Sequence, residues 1–180
     1  MAVLRNEFKM FIEIDGTAYV AGKGTASGTM GFNTTTEEKN DITTKNATNT
    51  IKAGSWSQPF TMDVNTADPI IVKLLQNLAL QKVSETFNVY VLWEFMHKVG
   101  EEDLFTAFNM SAVIALASLG GDGQSALQTE FTVANSGDVI SGFLDTATAT
   151  GKYDPVKQTF DPTAFSVNSD DTLSEPFAVA

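Results

Sequence analysis

Near its start the chain alternates: Phe8, Met10, Ile12 and Ile14 fall on one face of an extended segment, and Lys9 and Glu13 on the other. A period of two marks a half-buried strand. Asp15-Gly16 follows, a dipeptide suited to the positive φ angles of a tight hairpin turn, so residues 17–21 are expected to return as the partner strand. Gly22, Gly24 and Gly28 then punctuate a Thr/Ser-rich stretch reaching Phe32, where a second hairpin region is expected. Residues 33–55 are nearly all polar, with Ile42 and Ile51 as the large aliphatics. Such a segment cannot pack a core by itself, and a structureless loop of that length is usually functional or disordered. It is expected to find order against a partner. Trp56 reopens a strand, with Phe60, Met62 and Val64 on one face.

One helix is predicted. Asp68 can cap its start, Pro69 suits the first turn, and Ile70, Ile71, Leu74, Leu75 and Leu78 form one apolar stripe that should lie across a sheet. Three strands follow, carrying Phe87, Val89, Val91, Trp93 and Phe95; then Phe108, Met110, Ala112, Ile114 and Leu116; then Leu127, Thr129, Phe131 and Val133. Their second faces differ. Gln128, Glu130 and Thr132 should meet water, whereas Tyr90, Leu92 and Met96 are still apolar and suggest contact with a neighbouring subunit. After Phe143 the composition turns to Asp, Thr, Ser and Pro, with Phe160, Phe165 and Phe177 as isolated anchors. The domain division expected is a β-domain over residues 1–143 and a C-terminal extension over 144–180, the latter either a free terminus or an arm laid on an adjacent subunit.

Composition narrows the chemistry. The chain has 180 residues, 43% of them hydrophobic, which is enough for a core, and it has no cysteine, so disulfide frameworks and thiolate metal sites are excluded. The first eleven residues lack the continuous apolar run of a secretion signal, so the chain is expected to remain in the cell that makes it. Residues 70–80, its best apolar run, are broken by Lys73, Gln76 and Asn77 and fall short of the ~20 residues that span a bilayer; no membrane is expected. A formal net charge of -11 argues against tight binding of nucleic acid, which draws affinity from neutralised phosphates.

No catalytic constellation emerges, so neither enzyme activity nor a cofactor or metal is expected. His97 is the only histidine, which leaves no second imidazole for a metal site or a triad within one chain. Ser125 lacks the glycine spacing of a nucleophile elbow. Gly22-Lys23-Gly24-Thr25 has the wrong spacing for a phosphate loop and no helix after it. Glu101-Glu102-Asp103 reads as a solvated loop rather than a cation site.

The order of features resembles the major tail tube proteins of long-tailed bacteriophages. The likeness covers most of residues 8–143 and rests on Asp41-Ile42-Thr43-Thr44-Lys45 with Trp56 and the strand after it, on Ala67-Asp68-Pro69-Ile70 and the helix that follows, and on Gln128 to Gly137 with Asn135-Ser136-Gly137 as the point where the chain leaves the sheet. The resemblance implies a mainly β protomer, a sandwich or barrel-like tail tube fold with one short helix, a long polar loop and a C-terminal extension. It implies hexameric rings stacked into a tube that conducts DNA into the bacterial host without tight binding, in a virion tail built in the host cytoplasm beside tape-measure, tail-terminator and baseplate or tail-tip proteins. On that footing Asp41, Ile42, Lys45 and Ile51 are the candidate ring-stacking residues, Glu130 the candidate lumen-facing group, and Phe160 and Phe165 the candidate anchors of the C-terminal arm. Two other readings stand beside it: an Hcp-like tube of a contractile injection or secretion system, and a carbohydrate-binding β-sandwich using Trp56 and Trp93.

Overall fold

The computed structural model describes residues 8–22, 31–39, 48–82, 85–98, 100–120 and 127–168. The described residues form ten strands and one α-helix: β1 (Phe8–Ile14), β2 (Thr17–Val20), β3 (Gly31–Lys39), β4 (Thr48–Asp63), α1 (Pro69–Ala79), β5 (Thr86–Lys98), β6 (Glu101–Gly120), β7 (Gln128–Asp145), β8 (Tyr153–Asp154), β9 (Thr159–Phe160) and β10 (Phe165–Val167). They form one antiparallel sheet in the order β3-β4-β7-β6-β5-β1-β2-β9-β8, with β10 also on β7.

Local sequence explains the first hairpin. Asp15 and Gly16 take φ angles of 50° and 80°, the left-handed pair that matches the twist of the flanking strands, and Ile14 stands opposite Thr17. The helix is equally local in origin. The Asp68 carboxylate accepts from the Ile70 N–H at 2.9 Å and Pro69 occupies the first turn, where its missing donor is no loss. Ile70, Ile71 and Leu74 are buried. The expected stripe ends one residue early, however: Leu78 is 44% exposed, while Asn77 is buried and donates to the Glu85 carboxylate.

The long strands carry register jumps. Ala112 of β6 stands opposite Asn135 of β7, but Met110 stands opposite Val139, so Ser111 faces three β7 residues. Extra residues on one strand bend it and increase its twist. The sheet has a hydrophobic cluster on each face. The first joins Met10 and Ile12 of β1, Trp56, Phe60 and Met62 of β4, the α1 stripe, and Phe131 and Val133 of β7, with Phe60 and Phe131 stacked at 5.1 Å. The second lies on the opposite face of β1 and β5 and holds Phe11, Tyr90 and Leu92 together with Leu144, Tyr153, Phe160 and Ala164. β1 and β5 are therefore buried on both sides.

The second cluster corrects one expectation. Residues 153–165 seal the face carrying Tyr90 and Leu92, so that face is covered by this chain itself rather than by a neighbouring subunit. Backbone pairing fixes the seal: Ala18 stands opposite Phe160, and Phe165 opposite Leu144. Gly142 of β7 is needed at this seam, because a Cβ there would run into the Ser166 carbonyl oxygen and the Phe165 ring. Gly142→Ala should cost about 1–3 kcal/mol, the usual range for overpacking, because the nearest obstacle is backbone. Denaturant unfolding checks this, and an unchanged midpoint would refute it.

Candidate assembly surface

Residues 33–55, expected as a polar loop, are largely a two-stranded ribbon. Asn33 stands opposite Ser55, and after a register shift Thr35, Thr36, Glu37, Glu38 and Lys39 stand opposite Lys52, Ile51, Thr50, Asn49 and Thr48. Only the part of β4 from Ser57 to Asp63 pairs with β7. Residues 48–55 pair with β3 alone among the described residues, so the ribbon leaves the sheet as an arm roughly 27 Å long at ~3.4 Å per residue. Polarity did not prevent strand formation, since a ladder is made by backbone groups whatever the side chains carry. Of the proposed stacking residues, Ile51 lies on this arm opposite Thr36. Asp41, Ile42 and Lys45 lie outside the described residues.

The root of the arm is well defined. Trp56 is 7% exposed and packs in the first cluster, and its backbone N–H donates to the Asn135 side-chain oxygen at 2.9 Å. The Asn135 amide nitrogen reaches the Gly137 carbonyl at 3.4 Å. β4 and β7 part company here, the last paired residues being Ser57 and Ala134. Asn135-Ser136-Gly137 was expected to mark the chain's exit from the sheet. Instead β7 continues to Asp145 after the register jump, and β4 is the strand that departs.

Away from the first cluster, β4 and β7 present a mostly polar face. Glu130 is exposed on it, opposite Thr61 of β4 and Ser118 of β6, with Pro59 and Thr132 in the next rung. Gln128 donates to Asp63 at 3.1 Å at its end.

Phe160 and Phe165 were expected to anchor an arm on an adjacent subunit. Phe160 is 2% exposed and sits edge-on to Phe11 and Tyr90, each at 5.0 Å, while half-buried Phe165 meets Tyr90 at 5.7 Å. Both anchor the segment to its own sheet. Polar groups line the same seam. Glu13 accepts from the Tyr90 hydroxyl at 3.0 Å, and burial together with that carboxylate pushes the phenol's pKa well above its ordinary value. Burial also raises the pKa of Tyr153, with Lys9 opposing and Glu94 reinforcing the shift; Lys9 and Glu94 pair at 2.5 Å. Asp154 and Asp161 are shifted down, chiefly by the backbone N–H groups of Lys157 and Thr163 that they accept from.

The remaining candidates have ordinary settings. His97 is half-buried on β5 opposite Phe105, and Glu101 pairs with Lys98 at 2.6 Å. Ser125 and residues 23–25 lie outside the described residues. Among the described residues no helix is long and apolar enough to cross a membrane. Asn135 was read from sequence only as part of the chain's exit from the sheet, and Tyr153, which sits in no periodic segment, was missed.

No protein-family model matches the chain, and no curated protein matches it in sequence. Solved structures do. A chain from the tail of an empty gene transfer agent (GTA) particle, determined with C6 symmetry, superposes with a TM-score of 0.53 at 12% identity, covering 77% of this chain and 97% of that one. A chain of the SPP1 tail tube superposes with a TM-score of 0.57 at 14% identity, covering 78% of each. The protein has a tail tube fold.

Proposed function

We propose that this chain is the structural subunit of a long-tailed phage's tail tube, closing into six-membered rings that stack to make a conduit for DNA. The observation that carries the proposal is the β3–β4 arm, which leaves the sheet with no second strand neighbour among the described residues. A two-stranded ribbon is marginal alone in water and exposes two edges for pairing. A second copy supplies what the arm lacks. The C6 symmetry of the gene transfer agent tail supports six copies, and the likeness to the SPP1 tail tube supports a tube subunit.

In this reading Asp41, Ile42, Lys45 and Ile51 belong to the arm that meets the next ring, and Glu130 faces the lumen. A polar wall with carboxylates suits conduction. At -11 per chain, six copies carry about -66, though screening over ~8 Å restricts each charge to its neighbourhood. Phosphates then meet repulsion rather than a binding minimum. Tape-measure, terminator and tail-tip proteins would bound the tube's length and ends, and the virion tail is its place.

Negative-stain electron microscopy over a concentration series tests this. Six-fold rings or hollow tubes are expected. Persistent monomers at high concentration, with no assembly on tail initiators, would overturn the reading.

A further inference from the structure

Three discontinuities surround the contact between Asn135 and Trp56. β4 stops pairing with β7 after Ser57 and Ala134. The β6–β7 register jumps between Ala112 opposite Asn135 and Met110 opposite Val139. On the other side of β4, the β3–β4 register shifts between Asn33 and Thr35. At such a place the ladder would simply end. Instead the Asn135 side chain supplies the acceptor that β7's backbone no longer offers, taking the Trp56 N–H at 2.9 Å. The Trp56 ring is held in the first cluster, so one residue of β4 is fixed through both its side chain and its amide.

We propose that Asn135 is the positioning residue of the β3–β4 arm, setting the direction in which the arm leaves the sheet and hence the geometry with which one copy meets the next. This rests on the tube reading. The hydrogen bond is local and directional, whereas apolar packing of Trp56 alone leaves rotation about the strand axis open. Everything outward of the shift at Asn33 and Thr35 inherits the orientation set at Trp56. A side-chain acceptor also differs from a continued ladder, because it holds one rung and releases the next, which lets β4 diverge without a buried unpaired N–H.

The test compares wild type, Asn135→Leu and Asn135→Asp by amide hydrogen exchange and by electron microscopy of assembled material. Asn135→Leu keeps the size and removes the acceptor; Asn135→Asp keeps the acceptor. Exchange at the Trp56 amide should speed up about five- to tenfold in the Leu variant, the loss of one ordinary hydrogen bond, with the Val133 amide unchanged as an internal control of folding. Its tubes should be missing or show an altered axial repeat, and Asn135→Asp should restore both readouts. If the Leu variant fails the Val133 control, Asn135→Ala takes its place. Wild-type repeat in the acceptor-less variants, or unchanged Trp56 exchange, overturns the proposal. A wild-type protein that never assembles, with Trp56 still loosened by the Leu change, overturns the tube reading and the assembly half of this proposal while upholding Asn135's hold on the arm.

Discussion

Phe160→Ala is expected to lower the unfolding free energy by about 3–5 kcal/mol, the range for removing a fully buried aromatic ring. The ring is 2% exposed and lies between Phe11 and Tyr90, which it meets edge-on, so deletion forfeits area, two aromatic contacts and the close packing around them. Collapse cannot easily refill the space. Phe160 belongs to a strand of two residues, whereas its neighbours Phe11 and Tyr90 are locked in long central strands. The loss should appear in urea unfolding of the unassembled protein. A change below about 1 kcal/mol, typical of a surface site, would show that residues 153–165 do not seal this chain's own sheet in solution.

The second large effect concerns assembly rather than stability. Asn33 and Ser55 stand directly opposite each other, so residues 34–54 can be replaced by Asn-Gly, a dipeptide that joins paired strand positions in a tight turn. The shortened protein should keep its thermal midpoint within a few degrees, because Trp56, Phe60 and Met62, through which β4 joins the first cluster, are all retained. Tubes should vanish at every concentration at which wild type forms them. Normal tubes from the shortened chain would exclude the arm from stacking. The double change Ile42→Asp with Ile51→Asp would then have no reason to matter either.

Much of the fold was legible where its causes are local. Asp15-Gly16 announces a turn, Asp68-Pro69 a helix start, and β6 and β7 carry the alternation that burial of one face imposes. Asn77 replaced Leu78 in the buried stripe because Glu85 supplies its partner from beyond the helix. The arm was not legible for a different reason. Its residues carry no apolar alternation, and pairing depends on backbone groups that every residue possesses. The C-terminal seal was hidden by distance: Phe160 pairs with Ala18, and strands of two or three residues have no period. Tyr90 and Leu92 did signal that something covers them, but a sequence pattern identifies a buried face without naming its cover. At the assembly surface, Glu130's exposure followed from alternation, whereas Asn135's role required two strands to diverge beside it.

The arm is also a lever. Over roughly 27 Å of ribbon, a tilt of about 10° at the root carries the far end some 5 Å sideways, close to the ~4.8 Å spacing between paired strands. An angular error too small to disturb any cluster inside the protomer is thus enough to offer a neighbour the wrong rung. Tolerance is therefore least where the chain departs from its sheet, and the rigidity contributed by Trp56 in its cluster translates into the straightness of anything built from many copies.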